Sequence, residues 1–323
     1  MRKRHKIIIG VLLVLIGFLI VLHYHRVHYD VIHIDNNTIQ LTGYDYSVTS
    51  LAFSKYGHSM AIAGGDGLLG FYPEPQVINT YNWIERYSLP FEGSDAAFII
   101  KYLTGNRLFV CYDSKIVIYN TGNGSINYTK HIDINDPVIT SNEKLCSEIN
   151  GYVLNIMNMK SFHIIRSYSN AYGGAISPNG KYVAVGHLGY VLIYSVATGL
   201  RKHKIILATK KNESKFQYMQ YSPDDKYLVV ANNMENIMVI STKSWKIIRT
   251  IPPKYEFGFE FDQASHYFVS LTDPAVLYST VNFHKIKVFP DYKSAPMCAA
   301  FIPFTHRIAF GLQNGSIIIT NCP

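Results

Sequence analysis

Three short patterns have the residue types of a chemical site. His23, His25, His28 and His33 lie near Asp30 and Asp35, a ligand set that suits a transition metal, and His25 and His28 would share a face of a continuing helix. Beside an apolar run, however, His and Tyr ordinarily sit in the membrane interface, so no metal site is assigned. Gly65-Asp66-Gly67-Leu68-Leu69-Gly70 satisfies G-x-G-x-x-G. A dinucleotide site needs a helix to open at the last glycine, and Pro73 and Pro75 deny it that helix, which leaves a hairpin turn. Gly57-His58-Ser59 approaches a nucleophile elbow, but it falls between two strands rather than in a strand-to-helix turn. No catalytic residue, metal or cofactor follows from these patterns.

The elements that would position such residues are strands. Of the 323 residues, 48% are hydrophobic and 16% charged, with 25 Tyr and 17 Phe against 22 Gly and 13 Pro. That composition excludes disordered and collagenous classes and favours an all-β chain. The formal charge of +8 divides evenly: residues 1–30 carry +4, and the remaining 293 carry only +4. Without basic runs in the body, no nucleic-acid partner is expected.

Ile7 to Leu22 is an unbroken apolar run, preceded by Arg2, Lys3, Arg4 and Lys6 and followed by His23-Tyr24-His25-Arg26. Sixteen residues make about 24 Å of helix, enough to span when Lys6 and Tyr24 reach the two interfaces. No small-residue cleavage pattern follows, so the expectation is an uncleaved signal anchor over residues 7–24 that contacts lipid. The positive-inside rule puts the basic tail, 1–6, in the cytoplasm and everything beyond the anchor outside it.

Ala175-Ile-Ser-Pro-Asn-Gly-Lys-Tyr-Val-Ala-Val-Gly186 and Val191-Leu-Ile-Tyr-Ser-Val-Ala-Thr-Gly199 read as strand, turn, strand, turn, strand, turn. Met219-Gln-Tyr-Ser-Pro-Asp-Asp-Lys-Tyr-Leu-Val-Val-Ala231 with Ile237-Met-Val-Ile-Ser-Thr242 repeats the pattern, and fainter copies centre on Leu51, Phe98, Phe259 and Ala300. A degenerate unit runs from Val138 to Met159. The markers Ser177, Ser222, Asp262 and Pro303 recur at the period of a four-stranded propeller blade, about 40 to 45 residues. Seven units fit between residues 44 and 321. These segments resemble the repeats of WD40-like and YVTN-type β-propellers, although Tyr194-Ser195 and Ile240-Ser241 stand where WD40 blades carry Trp-Asp. The expected fold is all-β: a seven-bladed β-propeller of four-stranded antiparallel blades over residues 31–323, preceded by one transmembrane helix. The last blade lacks an outer strand, so a segment within 31–41 is expected to close the ring against Ser316–Thr320. Cys298 and Cys322 fall at opposite ends of one blade, too far apart to bridge, and free thiols are expected.

On such a ring the turns between second and third strands form one rim of the channel. Here they hold Asp66, Asp113, His187, Asn233, Glu235, Asp273 and Asn314, a polar set of mixed charge without a repeated catalytic group. These residues are the candidate partner-binding positions. The expected function is a membrane-anchored, extracytoplasmic, non-catalytic platform or scaffold for protein partners. The alternatives are a propeller enzyme, a lactonase-like hydrolase or quinoprotein-type oxidoreductase, and a propeller that binds a small ligand or glycan in its channel.

Overall fold

The computed structural model describes residues 29–323, except for 45, 66–73, 91–95, 133–134, 208–215, 233–235 and 253–255. The apolar run, the anchor expected over 7–24 and the histidines at 23, 25 and 28 lie outside the described residues. Among those described, no helix is long and apolar enough to cross a membrane.

The chain opens with β1 (Asp30–Asp35) and β2 (Thr38–Thr42). Blade one is β3 (Val48–Phe53), β4 (Ser59–Gly64), β5 (Gln76–Asn79) and β6 (Glu85–Ser88); blade two is β7 (Ala97–Leu103), β8 (Arg107–Tyr112), β9 (Lys115–Asn120) and β10 (Ile126–His131). Blade three is β11 (Asn135–Ile139), β12 (Leu145–Asn150), β13 (Val153–Asn158) and β14 (Ile164–Ser169); blade four is β15 (Gly173–Ile176), β16 (Tyr182–Gly186), β17 (Tyr190–Ser195) and β18 (Arg201–Ile206). Blade five is β19 (Phe216–Tyr221), β20 (Tyr227–Asn232), β21 (Ile237–Ser241) and β22 (Lys246–Ile251); blade six is β23 (Glu256–Phe261), β24 (Tyr267–Thr272), β25 (Val276–Ser279) and β26 (Lys285–Val288). Blade seven takes β27 (Pro296–Ile302), β28 (Arg307–Leu312) and β29 (Ile317–Asn321) from the C-terminal end.

The fold is a seven-bladed β-propeller of antiparallel meanders. The expected closure is present: β2 pairs with β29, setting Thr38 opposite Thr320 and Leu41 opposite Ile317. One detail differs. The segment expected as a single closing strand is a hairpin, with β1 folding back on β2 around Asn36-Asn37 and giving blade seven a fifth, fully exposed strand. Closing pairs are reinforced by side chains, Thr38 to Thr320 at 3.0 Å and Gln40 to Ser316 at 2.9 Å.

The core sits between blades rather than inside any one of them. Seven apolar clusters occupy the seven interfaces, so the second and third strands are buried on both faces. This is why Ser59–Gly64 reads as a continuous buried run instead of an alternating one. The repeated Ser-Pro turns have a local cause: the Ser177 hydroxyl accepts the Tyr182 N–H at 2.9 Å, and Ser222 accepts that of Tyr227 at 3.0 Å. Thr140 and Asp262 play the same part before Leu145 and Tyr267. All four cysteines are free.

Candidate functional site

Two sets of connections face opposite ways. On one side lie the second-to-third-strand turns together with the links between blades. On the other lie the first-to-second and third-to-fourth turns. Tyr29 fixes the first side relative to the N-terminal segment: it is 6% exposed, packs where blades seven and one meet, and donates its phenol hydrogen to Gln76 Oε1 at the start of β5. Burial keeps that phenol far above its ordinary range, so it remains a donor at any physiological pH. Among the described residues, connections on this side carry Glu74, Asp113, Asp273 and Asp291 against Lys293.

Of the seven candidate residues, the four that are described fall in this set of turns. Asp66, Asn233 and Glu235 lie outside the described residues; the other four sit on four different blades, and none hydrogen-bonds to another. Asp113 Oδ2 accepts the Ala96 N–H at 3.1 Å, tying its turn to the link that enters β7, and Asn314 Oδ1 accepts the Ser316 N–H at 3.1 Å, capping its own turn. His187 stacks on Tyr190 with ring centroids 4.9 Å apart, leaving Nε2 buried without a partner. Its imidazole is held below the ordinary range by burial, and Lys204, whose Nζ is 4.1 Å from the Tyr190 ring, pushes the same way. Asp273 precedes a cis proline and is exposed.

The central channel contains groups that no motif announced. Lys101 on β7 and Glu260 on β23 belong to the inner strands of blades two and six, and they interact electrostatically. Enclosure by the ring draws the Lys101 ammonium below its usual range, opposed chiefly by Glu260. The same enclosure lifts the Glu260 carboxyl to about 7, opposed by Lys101 and by a hydrogen bond from the neighbouring inner-strand Gln220. Gln220 Oε1 is buried without a partner, and Lys101 Nζ reaches Ile139 O at 3.5 Å. A carboxyl that titrates near neutrality beside an ammonium can exchange a proton or orient a polar ligand. Around them, Phe98 and Tyr218 on the inner strands are 38% and 36% exposed.

Sequence reasoning also passed over the third-to-fourth turns, where Trp83, Phe162, Trp245 and Phe283 occupy equivalent positions with φ of 57°, 53°, 55° and 52°. Each packs against the preceding blade. Trp245, for example, meets Tyr182 edge-on at 5.3 Å and stacks on His203 at 5.0 Å. Left-handed backbone at a bulky residue is costly, and burial of a large ring offsets it.

Among the described residues, no three His, Cys, Asp or Glu side chains cluster in a way that could hold a metal ion. Compared with models of known protein families and with curated proteins, the chain matches none.

Proposed function

We propose that this protein is a membrane-anchored, extracytoplasmic β-propeller of the WD40-like or YVTN type that acts as a non-catalytic platform for protein partners. The observation that carries the reading is the burial of Tyr29 and its hydrogen bond to Gln76. Only residues 23–28 separate Tyr29 from the apolar run 7–22, a reach of at most about 25 Å when extended. A spanning run would therefore hold the acidic, loop-bearing side of the ring close to the bilayer in a fixed orientation. The candidate positions there suit recognition better than catalysis: those described are dispersed over four blades, and the side chains of Asp113 and Asn314 are engaged by backbone N–H groups. Their acidic setting fits a partner with a basic surface.

The test is crosslinking in intact membranes followed by mild detergent purification, with mass spectrometry of proteins and of bound small molecules. The reading expects the same protein partners to recur. A lone chain carrying a stoichiometric metal or quinone would overturn it.

A second reading, a small polar ligand or substrate held in the channel, is favoured by Lys101, Glu260 and Gln220 alone. It requires a bound molecule that is lost in Glu260→Gln while the ring stays folded.

A further inference from the structure

On the side of the ring away from Tyr29, a cleft of about 530 Å³ opens between blades seven and one. Its lining includes Asn36 and Asn37 of the β1–β2 turn, Asn321 at the end of β29, Tyr81 and Trp83 of the blade-one turn, and Arg307 of β28. Arg307 lacks a carboxylate partner among the described residues, where the ion pairs are Arg107–Glu143 and Lys226–Asp224. Its Nε is buried with no hydrogen bond, and burial lowers its guanidinium with no acidic neighbour to compensate. With its Nε buried and unpaired, Arg307 meets the cleft through its terminal nitrogens, where a ligand carboxylate would supply the charge partner that the protein does not.

The remaining lining has donors and acceptors to spare. Asn321 donates to Asn37 Oδ1 at 2.9 Å, leaving the Asn37 amide hydrogens and the whole Asn36 side-chain amide without partners among the described residues. Side-chain amides offer a donor and an acceptor together, which matches hydroxyl groups, themselves both donor and acceptor.

From the cleft runs a chain of exposed rings. Tyr81, 74% exposed, lies 5.3 Å from His58; His58 lies 6.1 Å from Tyr56; and Tyr56 stacks on Phe304 at 6.2 Å. Tyr56 and Phe304 are 60% and 82% exposed, and Lys55 Nζ lies 5.3 Å from the Tyr56 ring. Monomeric surfaces rarely leave so many contiguous rings in water without a use. Flat rings spaced on the scale of a pyranose suit the apolar faces of sugars. An acidic peptide would want pockets for its side chains, whereas beside Arg307, His33, His58 and Lys55 the site offers amides and flat exposed rings.

We infer that this cleft and its ring ladder bind an acidic oligosaccharide, with Arg307 holding a carboxylate, Asn36 and Asn37 the hydroxyls, and Tyr81, Tyr56 and Phe304 the sugar faces. The site is independent of the platform reading, because it lies on the opposite side of the ring.

Isothermal titration of the full-length, detergent-solubilised protein tests it, using material from a host without N-glycosylation because Asn36 heads an Asn-Asn-Thr sequon. The probes are hexagalacturonate, a heparin hexasaccharide, neutral maltohexaose and a hexaglutamate peptide. We expect saturable binding of at least one acidic saccharide, at least tenfold weaker binding of maltohexaose and hexaglutamate, and at least tenfold loss in Arg307→Gln. Tyr81→Ala, at a largely exposed position outside the core, should weaken binding severalfold with an unchanged thermal midpoint, and Tyr152→Ala on the other side should leave binding unchanged. Tryptophan fluorescence in a Trp245→Phe background, which leaves Trp83 of the cleft as the one indole, gives a second readout. Failure of both acidic saccharides to bind, equal binding of hexaglutamate, or binding untouched by Arg307→Gln and Tyr81→Ala would overturn the inference.

Discussion

The Tyr29 phenol donates to Gln76 Oε1 across the seam between blades seven and one, joining the residue just before β1 to the first residue of β5. This bond makes the seam more than a strand pairing, since it ties the segment arriving from the apolar run to the rigid body of the ring. Tyr29→Phe keeps the packing and leaves Gln76 Oε1 buried and unpaired. A loss of about 1–2 kcal/mol is expected, read as a lower midpoint in denaturant at unchanged slope. Tyr29→Ala should cost about 3 kcal/mol or more. Wild-type stability in both variants would mean that the bond does not hold the segment.

Ring closure belongs to β2 rather than β1. Two truncations separate the roles: removing residues 1–37 takes away β1 and Tyr29, whereas removing 1–43 also takes β2. The shorter truncation should retain a cooperative thermal transition at a lower midpoint. The longer should lose it, because the fully buried Ile317 and Ile319 of β29 would be left on an open edge. Equal behaviour of the two would refute closure by β2.

Gly315 stands at φ 83°, and a Cβ there would collide with the Tyr44 carbonyl oxygen of the loop that crosses the same seam. Both the backbone region and the close approach demand glycine. Gly315→Ala is expected to destabilise the ring by about 2 kcal/mol or more, measured by equilibrium unfolding. At Gly105, also at positive φ but with open space around it, Ala carries only the backbone cost and should be milder.

Glu260 gives the ring a pH signature. Its folded-state carboxyl titrates at about 7, above its ordinary 4.5. Its protonated form is therefore favoured by folding: the contribution is complete below pH 4.5 and is lost as pH rises through 7. Glu260→Gln, which stays neutral, should be more stable than wild type above pH 7 by on the order of 1 kcal/mol after solvent in the channel is allowed for. The difference should shrink as pH falls toward 4.5. Thermal midpoints of the two proteins between pH 4.5 and 8 check this, and parallel curves would contradict it.

The repeats were legible because their turns are written in local chemistry. Ser177 and Ser222 close their turns with hydroxyl bonds to the fifth residue onward, and the apolar runs around Val183 and Val229 are long enough to read as doubly buried strands. The closing segment was legible from the missing outer strand of blade seven. Its hairpin was not, because Asp30–Asp35 is exposed on every residue and has no burial pattern to reveal it. The aromatic turn residues were hidden for a different reason: Trp83 and Trp245 adopt backbone that aromatic residues ordinarily avoid, and only packing on the preceding blade reverses that preference. Lys101 and Glu260 share no motif spacing at all. Only closure of the ring puts blades two and six across one channel.

The central claim is that the acidic side of the ring, the side held by Tyr29, meets protein partners at the membrane. The most direct measurement places a photocrosslinking amino acid in the full-length protein in cells, at the exposed positions Asp273 and Asn314 on that side and at Lys181 and Thr198 on the other. The account expects the same protein adducts from 273 and 314 in the membrane fraction, weakened by added salt, and none from 181 and 198. Adducts confined to 181 and 198, or a chain that crosslinks to no protein from either side, would contradict it.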